Sequence, residues 1–146
     1  MNDLLTPKHC VSNNLHQTAR AVNRIYSEEM RATGLKRSQY SILGYLNKLE
    51  KTHLSQLADL MFMDRTTLSR NLRPLERSGL IDISTSDKDA RAKQLSLTPE
   101  GKAAFRTATK HWRRAQKKVI ASFGADNWTQ LEASLSTLRN TRVLHE

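Results

Sequence analysis

Apolar residues recur along most of this chain at three- and four-residue steps and alternate strictly only in two short runs. Leu15, Ala19, Val22, Tyr26 and Met30 mark one face of a helix over about 10–33, with Gly34 placed to stop it. A second helix follows over about 38–49, with Ile42, Leu43, Leu46 and Leu49 inward. A short third helix covers about 55–62, carrying Leu57, Ala58, Leu60 and Met61. The run MDRTTLSRNLRPLERSG comes next. Asp64 suits its N-cap because a carboxylate accepts the orphan amides of a first turn. Leu68, Leu72 and Leu75 form one stripe, and Gly79 supplies the stop. Pro74 removes an amide and crowds the Arg70 carbonyl, so a kink or a tightened turn is expected there.

Ile81 and Ile83 then alternate with Asp82 and Ser84, and Leu95 and Leu97 with Gln94 and Ser96. The polar STSDKDARAK between them predicts a hairpin with a long charged tip. Thr98-Pro99-Glu100 opens another helix: a cap, a proline at the first helical position and an acid at the positive end of the dipole. It runs to about 123, Gly124 breaks it, and a last helix over about 126–142 places Trp128, Leu131, Leu135 and Leu138 inward. A tri-helical unit followed by a hairpin is the winged helix-turn-helix plan, so the fold class is mainly α.

Length and composition narrow the picture. The 146 residues suit one domain, or one compact domain with helical extensions. A single cysteine, Cys10, excludes an internal disulfide framework and any Cys-based zinc cluster. No apolar run approaches the roughly 20 residues that span a bilayer, and no signal-peptide pattern opens the chain. A cytoplasmic location without a membrane partner is the expectation. No phosphate-cradling glycine loop, HExxH or nucleophile elbow is present, so an enzyme is not expected. No cofactor is expected either, and His9, His16, His53, His111 and His145 lack metal-ligand spacing.

Charge changes the picture most. Twenty-four Lys+Arg against 14 Asp+Glu leave +10, a balance that favours nucleic acid. With Leu68, Leu72 and Leu75 inward, Thr66, Arg70, Arg73 and Arg77 fall on the opposite side of their helix, flanked by Thr67 and Pro74; Arg65, in the first turn, is a further candidate DNA contact. Arginine bonds guanine bidentately, and threonine meets a thymine methyl or a phosphate. Asn71 falls nearer the core edge and suits a packing network as well as a base contact. The hairpin tip adds Lys88, Arg91 and Lys93, cations that a narrow minor groove attracts, and Asp89 is placed to pair with Arg91. A merely solvated helix face and an exposed loop are the competing readings; their succession along the chain favours DNA.

The helix after Thr98 is more basic still. Lys102, Arg106, Lys110, Arg113, Arg114, Lys117 and Lys118 occupy an arc of about 160°, opposite Phe105, Ala108, Trp112, Ala115 and Val119. A solvated face, a flank that attracts phosphates over a distance and a membrane-surface helix are the competing readings; the last is disfavoured because Thr98-Pro99 docks the helix to a folded unit.

GLKRSQYSILGYL, followed by LSQLADLMFMDRTTLSRNLRPLERSGLIDISTSDKDARAKQLSLTPEG, resembles the MarR-type (multiple antibiotic resistance regulator) winged-helix transcription factors. DRTTLSRNLRPLERSGL, the Asp89-x-Arg91 tip and LTPEG are the most specific parts. The resemblance implies a homodimer in which residues 1–34 and 99–146 form the dimerisation region and 35–98 the DNA-binding domain. It implies a repressor on a pseudo-palindromic double-stranded operator, with Thr66, Thr67, Arg70 and Arg73 in a major groove and Arg91 in a minor groove. It further implies an effector, commonly a small phenolic or aromatic acid; His16, Tyr45 and Trp112 lie on helices that could border its cavity, although each is as well explained by packing. Lys36 stands where the family usually opens its second helix with threonine, so Ser38 is expected to cap a shortened helix. Alanines at 90 and 92 replace the more basic residues common in the wing.

Cys10, at the start of the first helix, is a candidate redox sensor through sulfenic acid formation. Tyr26 matches one tyrosine of the hydroperoxide-sensing branch, but Arg37 replaces the second and Cys10 falls two residues early, about 200° round the helix. An inert thiol is the competing reading. A sequence-neutral DNA-coating protein is the alternative to an operator-specific regulator.

Overall fold

Helices dominate, as the periodicity requires. The computed structural model describes residues 4–89 and 91–144. Among them are α1 (Val11–Met30), α2 (Arg37–Leu49), α3 (Leu54–Leu60), α4 (Arg65–Arg77), α5 (Pro99–Phe123) and α6 (Ala125–Arg139). The strands are β1 (Lys51–His53), β2 (Ile81–Thr85) and β3 (Lys93–Leu97). The expected end of the first helix near 33 is a 3₁₀ turn, Arg31–Thr33, closed by Gly34. No helix among the described residues is long and apolar enough to cross a membrane.

Two compact units result, Ser27–Trp112 and a second made of the segments up to Tyr26 and from Arg113. The core of the first draws Ile42, Leu43 and Leu46 from α2, Leu57 and Ala58 from α3, the α4 stripe, Ile81 from β2 and Leu95 from β3. Each large apolar side chain so buried stabilises by about 1.5–3 kcal/mol. Leu60, the last residue of α3, is 42% exposed.

The hairpin has a third strand that its alternation did not predict. β1 pairs antiparallel with β3, Thr52 opposite Leu95, and β2 pairs on the other side, Ile83 opposite Leu95. β3 is therefore central. Lys51-Thr52-His53 is too short and too polar to read as a strand alone; only Thr52 is buried, and its hydroxyl donates to Gln56 Oε1 at 2.9 Å.

Ser38 does not cap α2. Lys36 holds the cap position, and its amide donates to Gln39 Oε1 at 2.9 Å, one half of a capping box. The start of α5 follows the expected chemistry. Thr98 Oγ1 donates to the Gly79 carbonyl at 2.6 Å and accepts the Gly101 amide at 2.9 Å. Gly79 has φ +71°, the left-handed geometry glycine tolerates best, so one threonine ties the stop after α4 to the start of α5.

In the second unit, Ala115 is buried, and the Tyr26 hydroxyl donates to Gln116 Oε1. Burial pushes the Tyr26 phenol up. The face expected inward along α1 is only partly so: Val22 and Tyr26 are half-buried, whereas Leu15 and Ala19 are exposed. Trp128, Leu131, Leu135 and Leu138 of α6 are half-buried.

Candidate nucleic-acid interface

α4 is built from local signals. Asp64 caps it, one carboxylate oxygen accepting the Thr67 amide at 2.7 Å and the other the Thr67 hydroxyl at 2.6 Å. That hydroxyl, then that amide, hold the Asp64 carboxyl below the usual carboxylate range. Leu68, Leu72 and Leu75 are buried, and Arg65, Thr66, Arg70, Arg73 and Arg77 are exposed. Pro74 lies in the last helical turn, and α4 continues through it to Arg77. The arginines thus stand on a rigid rod anchored by leucine.

Thr67 and Asn71 are more committed than their neighbours. The Thr67 hydroxyl donates its hydrogen bond to Asp64 and keeps only acceptor capacity for another partner. Asn71 is half-buried; its Nδ2 donates to the Thr67 carbonyl at 3.0 Å, and its Oδ1 accepts the Ser38 hydroxyl at 3.2 Å. Both ends of the amide are therefore engaged: Nδ2 within α4, and Oδ1 in tying α4 to α2. Of the two roles the sequence left open for Asn71, the network is the one its bonds support. Ser38 was missed as its partner, since nothing local links residues 33 apart.

The wing is ordered by its backbone. Ser86 N donates to the Ala92 carbonyl at 2.8 Å and Ala92 N to the Asp89 carbonyl at 3.0 Å. Where a side-chain ion pair was expected, Asp89 Oδ1 instead accepts the Arg91 backbone amide at 2.9 Å. A carboxylate two residues before an amide makes this turn readily. Lys88, Asp89, Arg91 and Lys93 are all exposed; position 90 lies outside the described residues.

The residues suggested for an effector cavity are used locally. His16 is exposed, its Nδ1 2.8 Å from the Ser12 carbonyl of the same helix. Tyr45 is 37% exposed. Trp112 stacks on Tyr40 at 5.9 Å between ring centroids, and Tyr40 stacks on Phe105 at 5.2 Å. The Tyr40 hydroxyl lies 3.2 Å from Thr109 Oγ1. Tyr40 and Phe105 thus join Trp112 in an aromatic row that helical spacing alone did not reveal. Cys10 is exposed, and its Sγ accepts the Asn13 amide at 3.4 Å.

A family model described as the MarR family matches residues 33–92, which hold α2, α3, α4 and the wing tip. The structure of the M. tuberculosis transcriptional regulator MosR in complex with DNA is 32% identical, covering 88% of this chain and 92% of that one, with a TM-score of 0.80. The chain belongs to the MarR family. A mutant E. coli MarR complexed with operator DNA shares the fold at 18% identity, with a TM-score of 0.80 over 88% of this chain and 92% of that one. An uncharacterized HTH-type transcriptional regulator of Bacillus subtilis (strain 168), YdgJ, is 25% identical over 120 residues, 82% of this chain and 73% of its own length. The protein is a MarR-family winged-helix DNA-binding transcriptional regulator, and the arginine-bearing face of α4 and the wing are its candidate DNA-contacting elements.

Proposed function

We propose that the chain is one protomer of a homodimeric, ligand-responsive repressor of a pseudo-palindromic operator. Residues 35–98 form its DNA-binding domain, and 1–34 with 99–146 its dimerisation region. Each protomer lays Arg65, Thr66, Thr67, Arg70 and Arg73 in a major groove and reaches an adjacent minor groove with Lys88, Arg91 and Lys93. The observation that carries this reading is the exposed face of α4, several arginines backed by three buried leucines. Asn71 acts from behind that face by holding α4 against Ser38.

Dimerisation is supported by apolar residues left open in the unit built from the chain ends. Leu4, Leu5, Val11, Leu15, Phe123 and Leu144 are all exposed there. A single chain rarely leaves so many large apolar side chains uncovered in one unit, and a second copy supplies the cover. The effector is a small aromatic or phenolic compound, for which half-buried Trp112, at one end of the aromatic row, offers a stacking partner.

The experiment is a footprint of the purified protein on the DNA upstream of its own gene, with sedimentation to read its mass. Two protected half-sites about one helical turn apart, on a dimer, are expected. A monomer, or uniform protection without a preferred site, overturns the proposal. Phenolic acids that release the DNA while quenching Trp112 identify the effector class.

A further inference from the structure

The basic face of α5 is unexplained by groove reading. All seven of its cations are exposed, while Ala108 and Ala115 on the opposite side are buried. After Glu100 the helix carries no acid. Lys102, Arg106, Lys110 and Arg114 follow one another at four-residue steps, and Arg113 and Lys117 repeat the spacing, so like charges are neighbours along its length. Such pairs repel and weaken the helix that carries them. No acid of the same helix lies among them to relieve this, and a symmetric copy of the face would bring the same sign. A polyanion laid along it would relieve the repulsion throughout.

We infer that this face is a second DNA-contacting surface, which binds the phosphate backbone of duplex DNA without reading its sequence. From Lys102 to Lys118 the cations extend over about 24 Å at 1.5 Å per residue. Duplex DNA presents about one phosphate charge per 1.7 Å of axis, so a stretch of that length offers many more anions than the face has cations. Lysine and arginine meet phosphate oxygens without regard to base. The face therefore adds affinity and salt dependence, and leaves the choice of site to α4.

Lysine acetylation of the full-length protein tests this, with and without fragmented duplex DNA of mixed sequence. Lys102, Lys110 and Lys117 are expected to lose reactivity several-fold when DNA is added. If they label at the free-protein rate while Lys88 and Lys93 are protected, the second surface is overturned and the wing stands. Protection on α5 without protection on the wing supports the second surface and counts against the proposed groove reading. A triple variant, Lys102→Gln, Lys110→Gln and Lys117→Gln, is expected to lower the slope of log affinity against log salt by about 0.9 for each phosphate it no longer neutralises. Its control neutralises Lys8, Lys48 and Lys51, which are exposed elsewhere. Equal slopes in the triple variant and the control reduce the effect to net charge and overturn the inference.

Discussion

The carbonyl of Leu80 stands against Gly101: a Cβ added to Gly101 would lie 2.9 Å from the Leu80 carbonyl carbon and closer still to its oxygen. The same carbonyl accepts the Thr98 amide at 3.1 Å, so it cannot turn away without breaking the junction between β2 and α5. This gives the glycine of LTPEG its physical reason. Gly101→Ala is expected to destabilise the protein by about 1–3 kcal/mol through overpacking against backbone. Denaturant melts check it, and an unchanged midpoint would show that α5 can shift aside.

Arg70→Ala removes a central arginine of the exposed α4 face without touching the leucine stripe. Binding to the operator is expected to weaken by about 1–3 kcal/mol, with relaxed choice at one base position. Arg91→Ala is expected to act differently, lowering the salt slope by about one unit for each phosphate left without its cation. Competition titrations at several salt concentrations separate the two behaviours. A footprint identical to the parent's in both variants would mean that these elements face away from the DNA.

Asn71 is expected to behave as a strut. Asn71→Ala frees the Ser38 hydroxyl and the Thr67 carbonyl and is expected to cost about 1 kcal/mol of stability. Ser38→Ala should cost less in the Asn71→Ala background than in the parent, since the shared bond is already gone. A stable Asn71→Ala protein with altered preference at one base pair would instead make Asn71 a reader of bases.

Asp64 ties the start of α4 to pH. Its carboxyl titrates below its unfolded value because the Thr67 hydroxyl and amide bond the charged form. The stability it contributes is therefore complete above the ordinary carboxylate range and is lost as pH falls through the lowered value. Asp64→Asn keeps a capping oxygen but no charge. Its acid unfolding curve is expected to lose that part of the slope; curves that overlay the parent's throughout the acid limb would contradict the assignment.

Cys10 occupies a cap position, its Sγ accepting the Asn13 amide. Cys10→Ser supplies a better acceptor there, so stability is expected to hold or rise by a few tenths of a kcal/mol. Peroxide is expected to leave DNA binding unchanged in parent and variant alike. Tyr26 supports this, since its hydroxyl already donates to Gln116 of the same chain. Release of DNA by peroxide in the parent but not in Cys10→Ser would make the thiol a sensor.

What the sequence disclosed was local. The Asp64 cap, the Leu68-Leu72-Leu75 stripe and the Gly79 stop lie within one short stretch, and each acts on its neighbours, so α4 and its exposed arginines could be read directly. The Thr98 cap was equally plain. β1 was not, because Lys51–His53 becomes a strand only through Ser96, Leu95 and Gln94, far along the chain. The Ser38–Asn71 bond and the Tyr40–Phe105 stack are hidden for the same reason. The Asp89–Arg91 contact was hidden differently: charge suggested the guanidinium, and the carboxylate chose the amide that every residue carries.

Because β3 is gripped from both sides, the hairpin has one fixed root. Lys93, the first β3 residue after the tip, enters a strand held by β2 along its length and by β1 over its middle. The tip is thus a finger on a steady knuckle, and substitutions between 86 and 92 can change what it touches while leaving where it stands.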